Sequence, residues 1–190
     1  MPTRCDFPLP PDLPRPVDDG GAAHLRGMPV PAIALPSTSG ELIDLSKRTS
    51  LRTVAYCYPM TGVPGRPLPE GWDNIPGARG CTPQALGFQE HTGNFAALQA
   101  EVFGISTQTS DYQREVKERV GLSFDILSDA QFKFCDALQL PTFQVDGMRL
   151  LKRLTLVLRD GHIEHVFYPV FPPNESASEV VQWLRNHRLT

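Results

Sequence analysis

The chain has no apolar run near the ~18 residues that a helix needs to cross a bilayer, so no helical membrane span is expected. Its first residues, MPTRCDFPLPPDLPRP, lack the apolar stretch of a signal peptide, and a cytoplasmic protein is expected. There is no basic run or stripe, and the formal net charge is -3. That weighs against nucleic acid or an anionic membrane as the main partner. Cysteine is scarce: Cys5, Cys57, Cys81 and Cys135, with no CxxC pair and no clustering with histidine. A structural zinc site needs four close ligands, and a disulfide scaffold needs a higher cysteine density in a smaller chain. Neither a metal nor a cofactor is expected, and each cysteine is either buried apolar filler or a reactive thiol.

What is present is a full core's worth of apolar residues, 41% of a 190-residue chain. That suits one domain plus some additional chain. Pro2, Pro8, Pro10, Pro11, Pro14 and Pro16 crowd the first 28 residues, followed by Gly20 and Gly21. Proline removes donors and blocks helices, so this arm is expected to be extended or disordered, or to pack across a neighbouring subunit.

Beyond the arm, strands and helices alternate. Val30–Leu35 and Glu41–Leu45 read as short strands, and Arg52–Tyr58 as a buried one that stops at Pro59. Residues 60–80 form a long Gly- and Pro-rich loop, which in a compact domain is usually functional. Cys81 opens a helix running to about Ala100, with Phe88, Phe95 and Leu98 on its apolar side. A strand follows at Glu101–Ser106, then a helix at Asp111–Val120 capped by Ser110, a short strand at Phe124–Leu127, and a helix from Ser128 or Asp129 to Leu138. Leu150–Arg159 is a strand, Asp160-Gly161 a hairpin turn and His162–Tyr168 the return strand. Asn174 caps a last helix, Glu175–His187. This order predicts a three-layer α/β sandwich.

Cys81 has the local context of a nucleophilic thiol. It follows a Gly-rich loop and precedes a helix whose first-turn N–H groups and dipole favour thiolate over thiol, and Arg79 stands two residues before it. A thiolate is the species that attacks peroxide oxygen. A buried cysteine at a loop end fits the same local pattern.

The wider pattern decides between these. The strand VAYCYP, the loop and PGARGCTPQALGF resemble the active-site region of the peroxiredoxin family, where a Cys-Thr pair opens a helix after a Tyr-Pro-like strand end. RLLKRLTLVLRDGHIEHVFY resembles the strand-turn-strand of its atypical two-cysteine and bacterioferritin-comigratory branches. LSDAQFKFCDAL and the C-terminal helix follow in the family's order, so the resemblance covers residues 27–187. It implies a thioredoxin-like three-layer α/β/α sandwich with a mixed central sheet, occupying residues 29–190 behind the arm of residues 1–28. It also implies a thiol-dependent peroxidase that reduces hydrogen peroxide or organic hydroperoxides through a cysteine sulfenic acid. The family's catalytic arginine falls on Arg153, which would stabilise the thiolate and the charge developing on peroxide oxygen.

In the family the motif is Pro-x-x-x-Thr-x-x-Cys, and here the corresponding positions hold Asn74 and Ala78. An inserted loop that splits the motif would leave Pro59 and Thr61 to supply its Pro and Thr, with Pro76 the rival for the shielding proline and a solvated turn the alternative for Thr61. Gln84 is close enough to Cys81 to hydrogen-bond within the first turn, or is a plain helix former. His91 lies about 15 Å along the helix and is expected at a surface or interface. Trp72 anchors the loop by burial or walls the substrate.

Relatives in this branch often place a resolving cysteine five residues after the peroxidatic one, where this chain has Leu86. Cys57, at the end of the strand leading into the loop, is the resolving candidate, although its alternation with Tyr56 and Tyr58 suits buried filler somewhat better. Cys135, among Phe132, Phe134 and Leu138, reads as core, and Cys5 sits on the arm. The simplest reading is one-cysteine turnover, with an external thiol or thioredoxin-like protein as reductant. Two other functions fit the same fold: a thiol-disulfide oxidoreductase, opposed by the missing CxxC, and a redox sensor or non-catalytic binding module. The Leu140–Phe143 segment, LPTF, reads as a loop. The apolar segment Phe167–Asn174 covers a sheet edge or contributes to a homodimer interface.

Overall fold

The computed structural model describes residues 1–189. Its centre is a mixed five-stranded sheet in the order β5-β4-β3-β8-β9. The strands are β3 (Arg52–Cys57), β4 (Ala100–Ser106), β5 (Ile126–Ser128), β8 (Leu154–Arg159) and β9 (His162–Phe167). β3, β4 and β5 run parallel, β8 is antiparallel to β3, and β9 is antiparallel to β8. All six residues of β3 are buried, as a central strand covered on both faces requires.

Alternation along β3 divides the core in two. Val54, Tyr56 and Tyr58 pack with Leu86 and Phe88 of helix α1 (Cys81–Glu90), Val116 of α3 (Ser110–Val120) and Val180 and Leu184 of α5 (Ser176–Asn186). Tyr56 stacks on Phe88 with ring centroids 4.3 Å apart. Ala55 and Cys57 point the other way, into a layer made by Leu25, Leu35 and Leu45 with Phe134 and Leu138 of α4 (Lys133–Leu138). The result is the α/β/α sandwich read from the sequence. Arg52, buried at the start of β3, clamps its lower edge: it bonds both Glu164 oxygens at 2.6 Å and donates to the His187 carbonyl at 2.7 Å. Among the described residues no helix is long and apolar enough to cross a membrane.

Several boundaries differ from expectation, each for a local reason. The helix expected from Cys81 to Ala100 is two, α1 and α2 (Thr92–Ala97). The His91 ring bonds the Gly87 carbonyl at 2.9 Å, and its backbone N–H turns to Phe88 instead. Helix α4 begins only at Lys133, because Phe132 is left-handed (φ 57°) and the Asp129 carboxylate takes the N–H groups of Phe134 and Cys135 at 3.0 and 2.8 Å. Thr109 rather than Ser110 caps α3. Asn174 is not the cap of α5 but lies in a 3-10 turn, Pro173–Glu175, that leads into it. In place of strand Val30–Leu35, β1 is Ala34–Pro36, paired with β2, Leu42–Asp44.

The difference that matters most concerns Leu150–Arg159. It is not one strand. β7 (Met148–Leu151) folds back on β6 (Thr142–Val145) as a separate hairpin, and the chain breaks at Lys152 and Arg153 before β8 joins the sheet. The hairpin turn is Asp146-Gly147, both left-handed at φ 47° and 72°, as a two-residue type I′ turn demands.

The N-terminal arm is neither free nor disordered. Arg4 pairs with Glu90 at 3.0 Å and donates to the Asn174 carbonyl at 2.8 Å. Asp19 accepts from Lys152 at 2.5 Å and from the Tyr168 hydroxyl at 2.7 Å. Ala22 and Leu25 are already core residues, so the packed domain begins before residue 29.

Candidate active site

Cys81 is the first residue of α1, and Gly80 before it is the N-cap, left-handed at φ 106°. A Cβ at Gly80 would collide with Pro173, so the turn that presents the cysteine requires glycine. The thiol is 5% exposed. Its Sγ lies 3.2 Å from Arg153 Nη2 and 3.6 Å from the Ala78 carbonyl.

Arg153 stands at the break between β7 and β8, and that break is what aims its side chain at the loop instead of into the sheet ladder. Only 3% of it is exposed. Its guanidinium donates to the carbonyls of Gly77 (3.2 Å), Ala78 (2.9 Å) and Arg79 (3.3 Å) and to Gln84 Oε1. Among the described residues no carboxylate lies within ion-pair distance of it. A buried cation with only neutral acceptors around it is costly unless an anion completes the site. The group that faces it in that position is the Cys81 sulfur.

Gln84, fully buried, is more than a helix former. Besides holding Arg153 it donates to Ser176 Oγ at 3.2 Å, tying the guanidinium to the start of α5. The position three residues after Cys81 on a helix puts both side chains on one face, and that is the signal available in sequence. Arg79, by contrast, turns its guanidinium to Asp73 at 2.8 Å, gives its carbonyl to Arg153 and lines the cavity beyond Cys81.

Cys81 opens into a cavity of about 540 Å³ whose wall includes Thr61, Thr82, Pro83, Trp72, Phe7 and Leu9. Thr61 lines the same cavity and is not a solvated turn residue: it is buried, and Gln108 holds it by its backbone N–H (3.0 Å) and its carbonyl (3.2 Å). Neither Pro59 nor Pro76 lines this cavity. Pro59 is buried behind it, and Pro76 faces a separate hollow on the far flank of Arg153. Trp72 does both things asked of it, packing with Leu150 and Phe143 to anchor the loop and presenting a face to the cavity.

The other cysteines are not brought to Cys81. Cys57 is fully buried on the opposite face of the sheet, with Cys135, so the candidate resolving pair is separated by β3 itself. Burial holds the Cys57 thiol far above its ordinary value and pushes Cys135 up to about 11. Cys5 is exposed on the arm, next to Asp6 at the cavity rim. Two buried phenols, Tyr56 and Tyr58, share the core with Cys81 and lack hydrogen-bond partners among the described residues; burial keeps both protonated. The wall contributed by Phe7 and Leu9 left no trace in the sequence.

Residues 25–184 match the model of the Redoxin family. The chain belongs to the redoxin family. Among its relatives, Peroxiredoxin Bcp of Escherichia coli strain K12 is 27% identical over 161 residues, 83% of this chain and 93% of that protein. The chloroplastic Peroxiredoxin Q of Suaeda salsa is 28% identical, over 85% of this chain and 68% of that one. The crystal structure of Peroxidoxin BcpB from Mycobacterium tuberculosis superposes with a TM-score of 0.71 at 25% identity, covering 87% of this chain and all of that one. Peroxiredoxin Q of Xanthomonas campestris shares the fold, at TM-score 0.66 and 19% identity. The resemblance to the bacterioferritin-comigratory branch, carried in sequence by the Cys81 and Arg153 regions, thus holds across this redoxin chain.

Proposed function

We propose that this redoxin is a thiol-dependent peroxidase acting through Cys81. The observation that carries the reading is the buried Arg153 guanidinium, unpaired by any carboxylate among the described residues, 3.2 Å from the Cys81 sulfur at the floor of an open cavity. The Cys81 thiolate attacks the terminal oxygen of a hydroperoxide. An S–O bond forms, the O–O bond breaks, and the departing oxygen takes a proton to leave as water or alcohol. Sulfur becomes a sulfenic acid. Arg153 stabilises negative charge as it moves from sulfur to the leaving oxygen, and its rigid carbonyl and Gln84 contacts mean that little reorganisation accompanies the step. The Thr61 hydroxyl, which lines the same cavity, holds the peroxide in this reading.

The remoteness of Cys57 and Cys135 favours reduction of the sulfenic acid by an external thiol or thioredoxin-like protein. A cytoplasmic setting, where such thiols are abundant, fits that chemistry. Stopped-flow consumption of hydrogen peroxide by the reduced protein tests the reading. Wild type should consume one equivalent rapidly and Cys81→Ser none. Wild type reacting no faster than free cysteine would sink it.

A further inference from the structure

The family match begins at residue 25, so residues 1–24 lie outside the matched segment. They nevertheless build part of the cavity over Cys81: Phe7, Pro8 and Leu9 lie in its wall. Phe7 is packed against the same apolar core that holds Cys81. Leu9 reaches within 3.0 Å of where a Gly80 side chain would begin. The arm is fastened on both sides of this wall, by Arg4 to Glu90 and Asn174 and by Asp19 to Lys152 and Tyr168. The 60–80 loop adds Met60, Leu68 and Trp72 to the apolar part of the wall, and Asp6, Arg66, Arg79 and Arg119 supply a charged part.

Size identifies the ligand class. A cavity of about 540 Å³ is far larger than hydrogen peroxide, which needs about twice the ~30 Å³ of a water molecule. It falls in the range of volumes that hold drug-sized ligands. A hydrogen peroxide at the sulfur would leave the arm untouched, whereas an aryl or branched alkyl group on the peroxide would meet it.

We infer that the N-terminal arm is a specificity element, with Phe7 and Leu9 as the residues that select hydroperoxides carrying a bulky apolar group. This rests on the reading of Cys81 as the peroxide-reducing thiol. The group sits between arm and loop while the peroxide oxygens lie at Cys81 and Arg153, and the product released is the corresponding alcohol.

The test compares second-order rate constants for cumene hydroperoxide and hydrogen peroxide in the full-length chain. Wild type, the double variant Phe7→Ala with Leu9→Ala, and Arg4→Ala, which unfastens the arm without touching its wall residues, are measured side by side. The double variant should lose about tenfold with cumene hydroperoxide, the scale of apolar-pocket discrimination, and stay within about twofold with hydrogen peroxide. Arg4→Ala should shift the ratio in the same direction by a smaller factor. Equal losses on both substrates would make the arm a structural support, and no loss on either would make it a bystander; each overturns the inference while leaving the peroxidase reading intact. A wild type inert to both peroxides would instead overturn the peroxidase reading and this inference with it.

Discussion

Two arginines four residues apart each reach a cysteine sulfur, Arg153 to Cys81 at 3.2 Å and Arg149 to Cys135 at 3.7 Å. The residue types are the same and the chemistry is not. Arg149 lies on β7 with its charge already neutralised by Asp136 at 2.8 Å, and its guanidinium rests over the Phe132 ring. The sulfur it touches is sealed in the core, near the Asp129 carboxylate, and burial pushes that thiol up to about 11. Arg153 is the buried one, has only neutral acceptors beside the sulfur, and meets a cysteine that opens into a cavity. An arginine near a cysteine activates it only if its charge is unclaimed and the sulfur can be reached.

That contrast is open to attack. Cys81→Ser should abolish peroxide consumption outright, and Arg153→Met should slow it by about 100- to 1000-fold, the scale of losing one preorganised donor from an anion site. Single-turnover stopped-flow reads both, and an Arg153→Met enzyme within threefold of wild type would break the comparison. Gln84→Leu should cost about tenfold, since it leaves a buried guanidinium N–H unpaired and lets Arg153 drift. Gln84→Glu, which claims the Arg153 charge as Asp136 claims that of Arg149, should lose at least as much peroxide rate, whereas a purely structural role for Gln84 would show as a fall in melting temperature that Glu rescues together with the rate.

Alkylation separates the two thiols directly. At pH 8 iodoacetamide should modify Cys81 and Cys5 in the native protein and spare Cys57 and Cys135 until it is unfolded. Cys135 has a raised pKa, so it stays a neutral thiol below about pH 11 and only above that gains a folded-state thiolate. Rapid native labelling of Cys135 at pH 8, read by peptide mass spectrometry, would contradict its assignment as inert. The smallest effect belongs to Arg149→Met. An exposed pair with Asp136 contributes about 0–1 kcal/mol, so a change of under twofold in peroxide rate and a few degrees in melting temperature is expected.

The sandwich was legible because its signals are local. Apolar Arg52–Tyr58, the Asp160-Gly161 turn and the helix after Cys81 each announce themselves within ten residues. Cys81 and Arg153 were legible through the order of motifs that resembles the peroxiredoxin family's, and Thr61 through its place at the far end of the long loop. The β6–β7 hairpin was missed although Asp146-Gly147 between TFQV and MRLL carries the usual turn pair. The run LLKRLTLVLR looked continuous, and nothing in its composition says that it leaves one hairpin and enters another sheet at Arg153. The burial of Cys57 was legible in the parity of its strand: a residue between Tyr56 and Tyr58 faces the other layer. The docked arm was out of reach because its anchors, Glu90, Lys152, Tyr168 and Asn174, are 86 to 170 residues away in the chain.

The sheet that separates Cys81 from Cys57 and Cys135 also sets the order of events in turnover. With core on one side of the sulfur and a cavity on the other, oxidant and reductant must use a common entrance. The alcohol has to leave before the incoming thiol can reach the sulfenic acid. For a peroxidase so built, steady-state kinetics follow a ping-pong scheme, with parallel double-reciprocal lines. Excess peroxide then competes with the reductant for the same sulfur, driving it toward sulfinic acid instead of back to thiol.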